Sequence, residues 1–381
     1  MVADQFCIVI GGGIAGASAA FFLAQARGSG HGITLLEQES QPGYHTSGRS
    51  AAMYTEVYGN AVIRALVRSS KPFLDQPPAG FADHPLLSPR GALMLASRDA
   101  GTAALDAFEA EMQRPDMLER VDVDRCIALV PALNPDCFAG GILESVARDV
   151  DAEALLQGYL RLFRRLGGTV QTDSRVQAIA MTGGALELTV SGQDRPVSAE
   201  VVINAAGAWA DQIGALAGAQ PIGLEPMRRT ALTFDDPKGR DVSGWPMAFD
   251  LSGEWYFKPD AGRILASPHD EVLSPPCDAR PEELDIAICI DRIQNVTDFT
   301  IRRPASEWAG LRSFVPDHTP VNGFDDGVPG FYWLAGQGGY GIKTSPAMGQ
   351  IAAAVIQGQP IPQAIADQGI GATDLAVERL R

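Results

Sequence analysis

The 381-residue sequence predicts an α/β protein whose nucleotide-binding sheet is assembled from distant segments, with insertions of another character between them. Three stretches carry that prediction. "FCIVIGGGIAGASAAFFLAQARGSGHGITLLEQES" near the start reads as strand, tight turn, helix, strand. "DVDAEALLQGYLRLFRRLGGTV" and "AEVVINAAGAWAD" resume the alternation mid-chain. "GFYWLAGQGGYGIKTSPAMGQIAAAVI" repeats strand, Gly-rich turn and helix toward the end.

Phe6 to Ile10 form a short, wholly apolar run, as expected of a parallel strand covered on both faces. Gly11, Gly13 and Gly16 complete G-x-G-x-x-G directly after it, enclosing Ile14 and Ala15. The first glycine permits the sharp turn, the second lets backbone approach a pyrophosphate, and the third lets helix and strand pack closely. The following helix N-terminus offers free N–H groups and a positive dipole end to phosphates. "ITLLE" is the second strand, and Glu37 at its end, followed by Gln38, is placed to accept ribose hydroxyls. These residues leave open which dinucleotide binds.

Asp151 is the expected N-cap of a helix whose Leu155, Leu156, Tyr159, Leu160 and Phe163 share one face, stopped by Gly167 and Gly168. "ALELTV" alternates like a half-exposed strand, and "EWYFKPDAGRILAS" like a hairpin turning at Lys258–Gly262. Ser345 followed by Pro346 predicts the start of the last long helix, with Ala347, Met348, Ile351, Val355 and Ile356 as its core face. The nucleotide-fold pieces therefore fall near 1–50, 145–220 and 315–381, and the insertions at 51–144 and 221–314.

A formal charge of −16 disfavours nucleic acid or anionic lipid as partners, since both reward basic patches. Five dispersed cysteines without a C-x-x-C pair fit reduced thiols better than disulfides or a zinc site, and no metal site is expected. Gln5 to Ala26 is uncharged and long enough to imitate a membrane span, but a triple glycine breaks it and no basic n-region precedes it. The expected location is the cytoplasm, which leaves room for peripheral docking at the inner face of a membrane.

"GGGIAG", Glu37, "TSGRSA", "NAAGAWAD" and "PDHTPVNG" together resemble the FAD-dependent D-amino acid oxidase superfamily. "QPGYHTSGRSAAMYTEVYG", "PPAGFADHPLLSPR", "TIRRPASEWAGLRSF" and "GGYGIKTSPAMG" resemble D-arginine dehydrogenases in particular, essentially end to end. The resemblance implies a Rossmann-type FAD-binding domain with an inserted α+β substrate domain on an antiparallel sheet. It implies non-covalent FAD lined by Gly48, Arg49, Ser50, Ala51 and Ala52, with Val176 at the adenine and Ala206 and Gly207 near the pyrophosphate. It assigns the last flavin loop to Gly338, Gly339, Tyr340, Gly341, Ile342, Lys343 and Thr344, where a helix start would favour the reduced, anionic ring. Lys343 either adds to that field or points outward.

The activity implied is oxidation of a D-amino acid at Cα, with electrons passed to an acceptor (quinone, dye or O₂) that the residues leave open, as they do the oligomeric state. An arginine fork suits the carboxylate, because two parallel charge-assisted bonds fix distance and plane. By the resemblance Arg229 and Arg312 supply it, with Tyr58 and Tyr256 around the same group and Gly339 and Gly310 giving backbone. No general base is apparent, and none is required if the amine binds neutral. Ala92 stands where D-arginine dehydrogenases hold the substrate guanidinium with a Glu. An unpaired buried guanidinium costs several kcal/mol, on the order of a hundredfold in affinity. Met53 replaces a family His, and Met247 and Phe249 extend an apolar wall, so neutral or apolar side chains are expected over D-Arg. A glycine- or sarcosine-type amine oxidase using O₂ and a 2-hydroxy acid dehydrogenase are the alternatives.

Overall fold

Gln5–Ile10 lies at the centre of an eight-stranded sheet in the computed structural model, which describes residues 5–381. It runs parallel to Ile33–Leu36 on one side and to Val197–Asn204 on the other. Thr169–Gln171 extends the parallel run beyond Ile33–Leu36, and Phe331–Ala335 joins it along the second half of Val197–Asn204. Ala185–Val190 and Val176–Thr182 flank it antiparallel, as does Val321–Phe324. The strands come from all three predicted stretches, and their apolar runs are buried as two-faced parallel strands require.

Helices Ile14–Arg27 and Gly341–Ile356 pack together, and Gly349 marks their closest approach. A Cβ there would lie 2.6 Å from the Phe22 ring. Asp151 caps Ala152–Arg165 as predicted, accepting from the Ala154 N–H at 2.8 Å. The last helix departs from expectation. It begins at Gly341, so Ser345 and Pro346 lie inside its second turn. Pro346 has no N–H to give the Ile342 carbonyl, and the Ser345 hydroxyl bonds that carbonyl instead, at 3.0 Å.

A nine-stranded sheet draws on the two inserted segments. Glu225–Phe234 pairs antiparallel with Ser306–Phe314 and with Arg263–Ser267, and the hairpin Tyr256–Asp260/Arg263–Ser267 turns where predicted. The sheet is not purely antiparallel: Met247–Asp250 runs parallel to Ala92–Ser97 and so joins the two insertions. The helix Ala61–Asp75, although within 51–144, packs on Gly341–Ile356 and buries Ile63, Leu66 and Val67 in the first sheet's core. Among the described residues no helix is long and apolar enough to cross a membrane, and no cluster of candidate metal ligands occurs. All five cysteines are free thiols.

Candidate active site

Backbone shapes the first part of the site. Gly11 has φ +107°, and a Cβ on it would lie 2.4 Å from the Ala205 carbonyl oxygen. A Cβ on Gly16 would lie 2.0 Å from the Gly11 oxygen, so this turn closes only with glycine. Ile14, first in its helix, donates its N–H to the Ser47 hydroxyl at 2.9 Å. The Glu37 carboxylate accepts from the N–H groups of Gly12 (2.8 Å) and Glu39 (2.9 Å), while burial raises its pKa. A cavity of about 440 Å³ lies here, walled by the expected Gly11, Gly13, Glu37, Gln38, Val176, Ala206 and Gly207. Sequence reasoning missed His45, Ser47 and Trp209 in the same wall, although Ser47 belongs to the "TSGR" stretch that signalled close backbone approach.

A narrower cavity of about 130 Å³ continues from it, sharing Gly13, Thr46, Ser47, Ala205 and Gly207. Its wall includes the expected Ile14, Ala15, Arg49, Ser50, Ala51, Gly338, Gly339, Gly341 and Ile342. Three buried polar atoms in residues of this wall lack a hydrogen-bond partner among the described residues: Ser313 Oγ, Gln337 Nε2 and Arg229 Nη1. Orphaned polar groups are rare in folded proteins, and three along one slot fit a flat ligand carrying its own donors and acceptors.

Four expected cofactor residues line neither of these cavities nor a third one adjoining the slot. Gly16 and Gly48 serve tight turns, and a Cβ on Gly48 would lie 2.7 Å from the Gly43 oxygen. Tyr340 packs its ring 5.2 Å from Tyr58, and the Thr344 hydroxyl bonds the Tyr340 carbonyl at 3.0 Å. Arg49 lines the slot, but its hydrogen bonds all go to protein. It donates to Asp278 at 2.5 Å and to the carbonyls of Ala279 and Ala309, tying the first segment to the second sheet.

The third cavity, about 310 Å³, shares Ser50, Ala51, Tyr256, Arg312, Gly339 and Ile342 with the slot. Met53, Ala92, Met247, Phe249, Val57 and Leu251 make an apolar side, Ala52 contributes to the wall, and Tyr58, Tyr256 and Arg312 gather polar groups. The parallel pairing sets Met247 beside Ala92.

Register brings the two arginines together. Arg229 pairs with Gly310 and Met227 with Arg312, so Arg229 and Arg312 are diagonal neighbours on one sheet face, and Gly310 leaves room between strands. Their circumstances differ. Arg229 is buried, donating to the Asp270 carbonyl at 2.6 Å and to Glu271 at 2.8 Å, and burial together with Arg312 lowers its pKa. Arg312 makes no hydrogen bond or ion pair among the described residues, and it borders both slot and third cavity. Its guanidinium lies over Gly339, where a Cβ would sit 2.8 Å from Nη1. Burial pulls its pKa down, but the neighbouring tyrosines and Glu271 outweigh that, and it remains a cation.

Two further nitrogens reach this cavity. His269, which the sequence did not single out, has Nδ1 2.8 Å from the Gly253 carbonyl, which fixes the proton on Nδ1 and leaves Nε2 as acceptor 3.4 Å from the Tyr58 hydroxyl. Burial and the cations Arg229 and Arg312 push its pKa down to about 3. Lys343 points inward: it lines the third cavity rather than the slot and donates to the Thr55 carbonyl at 3.1 Å.

A glycine-closed cleft leading through a slot into a further cavity on a second sheet is the layout of a dinucleotide-binding protein with room for a small molecule beside the dinucleotide. Comparison with known proteins agrees: the family model "DAO: FAD dependent oxidoreductase" matches residues 7–355, and the chain belongs to that family. FAD-dependent oxidoreductase domain-containing protein 1 of Bos taurus is 24% identical, over 92% of this chain and 80% of its own. Glycine oxidase from Geobacillus kaustophilus superposes with a TM-score of 0.75 at 20% identity, covering 93% of this chain and 94% of its own. Iminodiacetate oxidase from Chelativorans sp. BNC1 gives 0.78 at 23%, covering 93% and 96%. The cofactor is FAD, and the first cavity and slot fit it: Glu37 would meet the ribose, the Gly11–Gly13 turn and Ser47 would meet the phosphates, and Ser313 Oγ, Gln337 Nε2 and Arg229 Nη1, without partners among the described residues, would face the ring.

Proposed function

We propose that the protein oxidises D-amino acids with neutral or apolar side chains at Cα, yielding the imino acid, which hydrolyses to the 2-oxo acid. Bound FAD supplies the two-electron oxidation, receiving the α-hydrogen with its electron pair. One observation carries the reading: Arg312, with no hydrogen bond or ion pair among the described residues, presents its guanidinium to a cavity whose remaining wall is largely apolar. A fork of free donors pressed against a glycine receives a carboxylate in two parallel bonds and fixes its plane. Tyr58 and Tyr256 stand beside it, and Arg229, with Nη1 spare, adds charge from behind. The substrate's side chain then lies toward Met53, Ala92, Met247 and Phe249. The preference for the D-enantiomer rests on the resemblance to D-arginine dehydrogenases. The two carboxylates in this wall are already engaged, which weighs against their replacing the guanidinium-binding Glu: Asp250 Oδ2 accepts from the Ser252 hydroxyl and the Glu254 N–H, and Glu111 pairs with Arg64.

Anaerobic mixing of the yellow holoenzyme with D- and L-amino acids tests the reading. Bleaching of the flavin band by D-Leu, D-Met or D-Phe, with kcat/KM well above that for D-Arg, is expected. Bleaching by L-enantiomers or by 2-hydroxy acids alone, or a strong D-Arg preference, refutes it.

A further inference from the structure

Amino acids arrive as ammonium ions, and an ammonium nitrogen has no lone pair with which to push a hydride from Cα. Unless only the scarce neutral form binds, the cavity has to take up a proton. Two of its protein nitrogens are unequal to that task. Arg312 stays charged, and His269, held near 3, is too weak a base to keep a proton at neutral pH.

Lys343 is different. It is one of only four lysines in the chain, and two of those are buried. Lys258 sits 2.7 Å from Asp149, as a buried cation ordinarily does. Lys343 makes no ion pair among the described residues, and its one hydrogen bond goes to the Thr55 carbonyl. Nζ lies 5.1 Å from the Tyr58 ring centre and 5.8 Å from that of Tyr340. Thr55 and Tyr58 are themselves cavity wall, so the amine is set in the wall that Arg312 also borders.

We propose, resting on the amino acid reading above, that Lys343 Nζ is the catalytic proton acceptor for the substrate's α-ammonium group. With the carboxylate on Arg312, one ammonium N–H bond breaks and a new N–H forms on neutral Nζ, so the positive charge moves from substrate to lysine and the α-nitrogen gains its lone pair. Both states of the lysine are accommodated. Burial pulls its pKa down to about 7, against the pull of Glu144 and with Arg312 acting in the same direction as burial, so the neutral amine is within reach. After transfer, the two tyrosine faces, the Thr55 carbonyl and buried Glu144 stabilise the cation. Glu144 is held in place by the Thr55 hydroxyl and the Glu56 N–H, and Glu56 itself is committed to Tyr54 and Arg114, so neither forms a direct pair with Nζ.

Two measurements on the holoenzyme test this. With lysine labelled at ¹³Cε, four resonances are expected, and the one missing from K343M (or left over after K71R, K238R and K258R) titrates near pH 7. The anaerobic rate of flavin bleaching by D-Leu rises through an apparent pKa near 7 in the wild type. In K343M and K343R, with flavin retained, it falls about a hundredfold and loses that limb. Arginine keeps the charge but cannot accept a proton, so rescue by K343R assigns Lys343 to carboxylate binding and overturns the proposal. An unchanged acid limb in K343M, or a lysine resonance titrating near 10, overturns it as well. If no amino acid bleaches the wild-type flavin, the amino acid reading fails and takes this proposal with it. Bleaching with an unmoved limb sinks the lysine alone.

Discussion

The two ends of the long cleft are built from different materials. At the nucleotide end, main chain is brought close through Gly11, Gly13 and Gly207, and Glu37 and Arg175 are the charged side chains of the wall, with His45 beside them. At the proposed substrate end, side chains make the wall: Arg312, Lys343, His269 and two tyrosines against methionine, alanine and phenylalanine. Main-chain sites tolerate almost no added atom, whereas side-chain sites grade their response to each change. Mutations should therefore act as a switch at one end and a dial at the other.

The largest effect is expected at the turn. A Cβ in G11A meets the Ala205 carbonyl at 2.4 Å and demands a backbone conformation alanine avoids, so the purified variant is expected to lack flavin absorbance. A G11A protein as yellow as the wild type would erase the distinction between the two ends. Next comes the fork. R312M is expected to keep FAD and to lower kcat/KM for D-Leu by about a hundredfold or more, the loss of two charge-assisted bonds. R229M, which strands Glu271 and the Asp270 carbonyl, should show proportionally more loss of Tm; equal kinetic losses with unchanged Tm would mean the two arginines share one role.

Smaller still is the apolar wall. F249A opens the side-chain region and is expected to lower kcat/KM for D-Leu about tenfold, with less effect on D-Phe. The smallest effect concerns His269 and pH. The unfolded chain protonates this imidazole near 6.5, while the folded chain refuses the proton until about pH 3. Its contribution to stability is therefore lost as pH falls through that window. H269Q should flatten the decline of Tm between pH 6.5 and 4, and an identical decline in both proteins would show the histidine to be solvated.

The same division explains how much of the molecule could be read from its residues. The Gly-rich turn, Glu37 and the Asp151 cap were legible because their causes lie within a few residues of the effect. Arg229 and Arg312 were legible through family resemblance, but their unequal commitments were not. Those depend on Asp270 and Glu271 reaching back from a loop some forty residues away, as the separations of the bonded pairs show. The direction of Lys343 turned on where one helix begins. "TSP" signals a start at Ser345, and the start at Gly341 swings the lysine inward. The parallel pairing of Met247–Asp250 with Ala92–Ser97 was hidden because alternation reveals a strand and not its neighbour. His269 follows a strand as an unremarkable "PHD", and only the converging cations give it meaning.

The central strand of the first sheet carries a further consequence, for the order of assembly. Its partner Val197–Asn204 is translated roughly 190 residues later, and Phe331–Ala335 much later again. At about 5–20 residues per second a ribosome needs on the order of 10–40 s to deliver the first of these partners. The earliest glycines to emerge thus wait, exposed, for the pieces that complete their nest, and intracellular supply of the flavin during that interval should raise the yield of native protein.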